Sequence, residues 1–301
     1  MAGQGRIHIG ISGWSYRPWR GVFYPPGLPA RRELSYAASK FGTIEINSTF
    51  YRLQSVASFA RWADETPENF IFSVKGSRYI THMLRLRGVE KALATFLASG
   101  LLRLGPKLGP ILWQLPERFA FDPGRLEAFL KLLPRDMEAA AEMATGYNRR
   151  VAGKNVWTRA MARGPLRHAV EVRHPSFVCP EFIRLLRKLD TALVCADAVD
   201  WPRLMDVTSD FVYCRLHGDK ELYASGYDRC ALDQWARRTV DWSAGREPAD
   251  AERALPRPAP VRGARDVFVY FDNDAKVRAP SDAQSLAQLL TRKLRPARRA
   301  A

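Results

Sequence analysis

The sequence has no apolar run near the roughly 18–20 residues that a membrane-crossing helix needs, so no membrane partner is expected. Cysteine is scarce. The four, Cys179, Cys195, Cys214 and Cys230, lie 16, 19 and 16 residues apart. No pair has metal-ligand spacing, and two sit in apolar strand-like runs, which fits reduced structural thiols. The opening "MAGQGRIHIGISG" turns at once into a strand-like run and leaves no room for the basic, apolar and cleavage regions of a secretory signal. A cytoplasmic location is the expectation. Lysine is also sparse: 10 residues against 37 arginines.

The chain does have ample core material, with 47% hydrophobic residues over 301 positions, and a net charge of +16. That charge is concentrated. Residues 143–170 carry six basic side chains and no acid, and Arg292, Lys293, Arg295, Arg298 and Arg299 crowd the end of the sequence. The basic insertion and tail are candidate contacts for nucleic-acid phosphates. Without a recognised binding motif, solvated surface segments are the favoured reading.

Eight short β-like runs recur: 6–12, 43–51, 69–76, 108–116, 167–174, 191–197, 210–218 and 266–274. Amphipathic stretches of helical length separate them, except at 198–209, which is too short for a full helix. Strand–helix alternation argues for parallel βα units, and eight such units at this length predict an α/β fold of the TIM (β/α)8 barrel type. One domain spans 1–301, with its core at about 6–294 and a basic tail at 292–301. Two stretches, about 138–165 and 244–264, exceed a minimal barrel. Both precede strands, so both are expected as insertions on the αβ-loop side. The second, rich in Ala, Pro and charge, reads as a mobile loop.

Strand residues two apart share a face. A polar residue facing the axis near a strand's C-terminal end points to the mouth where barrels carry chemistry. That parity selects Glu45 and Asn47, Lys75, Gln114, Glu171 and Arg173, Asp197, Arg215 and His217, and Asp272 and Asp274. Glu45–Lys75, Glu171–Arg173 and Asp197–Arg215 are candidate ion pairs. So many ionisable groups at one mouth mark an active site more than a core. Three chemistries remain open. Glu171, Asp197 and Asp272 are candidate ligands for a divalent metal, less favoured because Arg and Lys compete with the ion. Lys75 is a candidate Schiff-base nucleophile. In the favoured reading, Lys75, Arg173 and Arg215 bind a small phosphate- or carboxylate-bearing substrate while Glu171 and His217 exchange protons. The reaction class (lyase, isomerase or hydrolase) stays open, as does the oligomeric state. A phosphodiester-processing or nucleic-acid-binding protein and a non-catalytic ligand-binding scaffold are the alternatives.

Two loops add candidates. "KGSRYITH" after the third run supplies Arg78 and His82, and "EVRHPSF" places His174 at the rim. The first loop, "SGWSYRPWRGVFYP", leaves the first strand over the predicted mouth, where Trp14 and Tyr16 are expected to roof a ligand, with Phe23 and Tyr24 buried behind them.

The motifs "IGISGWSYRPWRGVFYP", "TIEINSTFYRLQ", "FSVKGSRYITH", "LGPILWQLP", "EVRHPSF", "RLHG" and "FDND" run in order along nearly the whole chain. Together they resemble the YecE-like family, domain of unknown function 72. The resemblance implies a TIM-type barrel in bacterial and archaeal cytoplasmic proteins and implies no established reaction. Its recurring polar positions fall on Glu45, Asn47, Lys75, Gln114, Glu171, Arg173, His174, Arg215, His217, Asp272, Asn273 and Asp274. The two insertions depart from the usual pattern.

Overall fold

The computed structural model describes residues 4–152, 155–261 and 263–294. Lys154 and the tail beyond residue 294 lie outside them. Eight parallel strands close into a barrel in chain order: β1 (Ile7–Ser12), β2 (Thr43–Ile46), β3 (Ile71–Lys75), β4 (Leu108–Gln114), β5 (His168–Glu171), β6 (Ala192–Asp197), β7 (Phe211–Leu216) and β8 (Asp266–Phe271). β8 pairs with β1 from Ile7↔Val267 to Ile11↔Phe271, which seals the cylinder. The chain is thus a TIM-type barrel. Helices cover the outside, and Ser55, Asp122, Asp136 and Asp228 start four of them by accepting a backbone N–H three residues on.

The strand interiors follow the two-residue period. A small inner core of Leu112, Ala169, Ala192, Val194, Ala196, Phe211, Tyr213, Phe268 and Tyr270 fills the axis. A larger core of alternate residues packs between strands and helices. The Tyr270 hydroxyl ties the middle layer together, 2.7 Å from both Thr43 Oγ1 and Ser73 Oγ. Gly10 supplies the close approach of β1 to β2: a Cβ there would sit 2.1 Å from the Thr43 carbonyl oxygen.

The run at 43–51 divides. Its strand ends at Ile46, and Ser48–Tyr51 form a helical turn. Between β6 and β7 no helix forms among the described residues, as the short 198–209 spacing requires.

The composition of the 244–264 insertion suggests a mobile loop, but its described residues, 244–261 and 263–264, are packed against the rest of the chain. It folds against the helix-free segment, with Met205 N–H donating to the Glu252 carbonyl and Asp206 accepting from the Ala254 and Leu255 amides. Arg238–Asp250, Arg253–Glu247 and Arg203–Glu252 ion pairs pin it, and Ala251, Ala254, Leu255 and Ala259 pack onto the core. The insertion therefore does the covering work of the missing helix.

The 138–165 insertion opens with the helix Met137–Ala144 and packs beside the helix Glu90–Ala98, where Asn148 N–H donates to Thr95 Oγ1. Within it Arg163 pairs with Glu138, and Arg167, just past the insertion, pairs with Asp210 and Asp266. Arg149 and Arg150 stay exposed. No described helix is long and apolar enough to cross a membrane.

Candidate functional site

Arg215, at the end of β7, is the centre of the mouth. It is fully buried and contacts three carboxylates from three other strand ends. Nη1 donates to Glu171 Oε2 at 2.7 Å, and Nη2 donates to Asp272 Oδ2 at 2.7 Å and Glu45 Oε1 at 2.9 Å. Nε completes a fork on Glu45. Glu45 also accepts from Ser12 Oγ at 2.8 Å and from the Tyr213 hydroxyl at 2.6 Å. A buried carboxylate is tolerated only with such donors. Burial alone would raise Glu171 and Asp272. The Arg215 charge overrides it, holding Glu171 far below the ordinary carboxylate range and Asp272 at about 2.

Arg173 extends the network. Its Nε and Nη2 lie 3.0 and 2.9 Å from Glu171 Oε1, and its guanidinium stacks 3.5 Å over the Trp201 ring. Its Nη2 also donates to the Tyr223 hydroxyl at 3.3 Å. Of the three pairings read from the sequence, only Glu171–Arg173 forms. Glu45 goes to Arg215 instead of Lys75. Asp197 goes to Arg203 Nη1 at 2.9 Å and the Tyr227 hydroxyl at 2.9 Å instead of Arg215. The reason is phase: Ala192, Val194 and Ala196 face the axis on β6, so Asp197 shares the outward face of Leu193 and Cys195.

Among the described residues, His217 and Lys75 are ionisable groups of the mouth that keep no strong partner. His217 is fully buried. Its Nδ1 lies 3.2 Å from Asp272 Oδ2 but off the line of a hydrogen bond, so neither ring nitrogen has a hydrogen-bond partner among the described residues. Burial, reinforced by Arg215, lowers its pKa and keeps the imidazole neutral at pH 7. Trp201 and Tyr223 sit edge-on to that ring at 5.1 and 5.4 Å and roof it.

Lys75, at the end of β3, has no carboxylate within 4.0 Å among the described residues. Its ammonium stands 4.4 Å over the Phe50 ring. Burial and then Arg215 lower it to about 8. His82 lies beside it, edge-on to Phe50 at 5.0 Å, and burial together with Lys75 drops its pKa to about 4. Asp274 goes the other way, to about 6, through burial and the neighbouring Asp272 charge.

The remaining sequence candidates divide. Gln114 is buried beside Glu171 across the β4–β5 register, its Nε2 donating to the Leu115 carbonyl. Asn47 Oδ1 is buried without a partner among the described residues. Tyr16 donates to the Ser12 carbonyl at 2.6 Å and leans on Trp19. Trp14 turns away from the mouth, into the core against Trp62 and Phe72 at 5.3 and 6.4 Å, where apolar partners for its ring already exist. With Trp19, Phe23, Tyr24 and Tyr36 interlocked, the first loop is chiefly an aromatic plug. Asn273 bonds Asp282 and the Ser225 carbonyl, bracing the rim. His174 Nδ1 accepts from the Ser176 amide and serves the turn that follows β5. Arg78 is exposed and lines a side cavity.

Sequence reasoning missed Phe50, Trp201 and Tyr223. Phe50 was read as strand, and the other two lie in loops without a repeating pattern. Among the described residues no three His, Cys, Asp or Glu side chains are arranged to hold a metal ion, and Asp197 stands apart from Glu171 and Asp272. The mouth acids face Arg215, whose fixed positive charge would repel a cation placed among them.

A family described as "Protein of unknown function DUF72" matches residues 8–301. The chain belongs to the DUF72 family. It is 28% identical to the UPF0759 protein YecE of Escherichia coli K12 over 174 residues, which cover 57% of this chain and 50% of YecE. It is 33% identical to the UPF0759 protein YunF of Bacillus subtilis 168 over 75 residues, 25% of this chain and 26% of YunF. The matched stretch thus spans about half the length of YecE and less of YunF. A DUF72 family protein from Thermotoga maritima MSB8 superposes with a TM-score of 0.70 at 24% identity, covering 95% of this chain and 99% of that one. A second, from Enterococcus faecalis V583, gives 0.67 at 18% identity and 95% coverage of each. These likenesses show the shared DUF72 barrel.

Proposed function

We propose that this DUF72 barrel is an enzyme acting on a small anionic substrate at its C-terminal mouth. Lys75 contacts the anion and His217 moves the proton. The observation that carries the reading is Lys75: a buried ammonium that faces an aromatic ring while the nearby carboxylates are committed to Arg215. A fold gains nothing by burying a cation unpaired, so the charge is available to a ligand. A neutral His217 with two unpartnered nitrogens has the protonation state of a general base at pH 7. Arg215 leaves the anion-binding role that the sequence suggested. Its guanidinium is occupied by three acids and acts as the organiser that fixes Glu171 and Asp272 around His217. Glu171, held strongly ionised, orients and does not exchange protons.

The test is chemical modification of Lys75 by acetic anhydride, followed by peptide mass. The expected rate has its midpoint near pH 8 and is slowed by inorganic phosphate. A midpoint near the ordinary lysine value of about 10.4 with no protection would overturn the assignment. His217→Asn should then abolish turnover of a phosphorylated or carboxylated substrate without weakening its binding.

A further inference from the structure

Beside the mouth, and separate from the Arg215 cluster, lies a cavity of about 680 Å³. Its size is that of a small-molecule site. Ile80 and Phe96, both buried, floor it together with Leu53 and Leu84. Three cations, Arg52, Arg78 and Lys91, line it, and none has a carboxylate within 4.0 Å among the described residues. Tyr51, Tyr79 and Met83 form its lip at 68%, 50% and 64% exposure. They are three of the nine most exposed large apolar side chains described, which makes this rim a patch and not scatter.

The backbone that builds the wall is unusual. Tyr79–Met83 form a π-helical turn, and Arg85 and Leu86 follow with φ of 50° and 66°. π turns are rare and frequently occur at functional sites. A bulky leucine in the left-handed region is strained, and the surrounding structure must over-determine it. The turn separates its side chains. Tyr79, Ile80 and Met83 face the cavity, while His82 packs on Phe50 beside Lys75. The basic 138–165 insertion reaches the same cavity through Asn148, with exposed Arg149 and Arg150 following it.

We infer that this cavity is a second binding site, for a small molecule with a planar aromatic body and an anionic group at one end. The apolar floor and tyrosine lip suit the ring, and the unpaired Arg52, Arg78 and Lys91 select the charge. A neutral ligand would leave those cations unused, and a bare inorganic anion would leave the floor wet. The site does not depend on the role proposed for Lys75.

The probe is 8-anilinonaphthalene-1-sulfonate, an aromatic sulfonate that fluoresces when it leaves water, titrated onto the full chain. The expected result is one site per chain, weakening as salt rises. The uncharged analogue N-phenyl-1-naphthylamine should bind at least about tenfold more weakly, since losing one charge-assisted contact costs ~1.5–3 kcal/mol. The triple variant Arg52→Ala/Arg78→Ala/Lys91→Ala and the cavity-filling Ala92→Trp should each lose the site. Lys75→Met should keep it, which separates this inference from the mouth chemistry. Equal binding of the neutral analogue, or full binding in both variants with native circular dichroism, overturns it. Competition then assigns the anion: displacement by adenosine 5′-monophosphate points to phosphate, displacement by indole-3-carboxylate points to carboxylate, and displacement by neither refutes the ligand class. If both cavity variants fail to fold, protection of Arg78 from phenylglyoxal by adenosine 5′-monophosphate or indole-3-carboxylate decides the question in the wild-type chain, and no protection overturns it.

Discussion

Replacing Arg215 by Met removes one cation and leaves three buried carboxylates. Their fates differ. Glu171 keeps Arg173 at 2.9 Å, and Glu45 keeps the Ser12 and Tyr213 hydroxyls. Asp272 keeps only a misaligned His217. Removing one partner of a buried pair costs about 3–5 kcal/mol. Partial compensation of two of the acids places this variant near 4 kcal/mol, a large share of the ~5–15 kcal/mol that holds a protein folded. The sign with pH follows from the acids. In the wild type Asp272 is held down to about 2, so its contribution is present above the ordinary aspartate value and is lost as pH falls through about 2. Without Arg215 the folded-state values of Asp272 and Glu171 rise, and their protonation on going from pH 7 to pH 4.5 removes part of the penalty. Urea unfolding at both pH values reads this. The expected loss is about 4 kcal/mol at pH 7 and at least ~1 kcal/mol less at pH 4.5. Arg215→Lys should fall between the two, because an ammonium keeps the charge but cannot bridge three strand ends. If Arg215→Met stays within ~1 kcal/mol of wild type at pH 7, or if the penalty does not change with pH, the charge-organiser argument fails.

Lys75→Met should stabilise the fold by up to about 3 kcal/mol, since the shift to about 8 measures the cost of burying the ammonium. With a lowered folded value, that cost is fully present below pH 8 and fades as pH rises towards 10.5, so the gain seen in urea unfolding should shrink over that window. The same variant should raise the His82 titration midpoint above about 4, read by imidazole NMR, because Lys75 is the leading charge holding it down. Asp272→Asn should lower the Asp274 midpoint below about 6, read by carboxyl carbon NMR. Gly10→Ala should destabilise by about 1–3 kcal/mol in thermal or urea unfolding, because its methyl group meets the Thr43 backbone and not a side chain that can turn away.

The barrel was legible because both faces of each strand are buried, so strand runs stand out from the amphipathic helices between them. The same burial explains why parity placed Glu45, Glu171 and Arg215 correctly: on a strand enclosed on both sides, a charged residue goes where other polar groups meet it. Parity misplaced Asp197 because its phase was read from the end of the run and not from the small residues Ala192, Val194 and Ala196 that fill the narrow axis. Pairing was not legible at all. Arg215 reaches β2, β5 and β8 across the barrel, and no sequence spacing encodes which of several acids a central guanidinium will take. Trp14 was misjudged because a loop over a mouth offers two destinations for a ring, and Trp62 and Phe72 gave it the drier one. The side cavity draws on three loops and two helices, so no periodic pattern announces it.

That asymmetry bears on function. Had Arg215 been free, the mouth would have held a strong anion trap with no need of Lys75. With Arg215 occupied, the three acids are fixed, Glu171 and Asp272 are held ionised, Arg173 is clamped between Glu171 and Trp201, and the mouth's adjustable charge rests on Lys75, with His217 neutral. Lys75, held near 8, is the cation of this mouth whose charge changes just above neutral pH. If the mouth takes an anion through the Lys75 ammonium, as proposed, binding of inorganic phosphate there should weaken as pH rises through about 8, and binding that stays constant from pH 7 to pH 9 would refute that role.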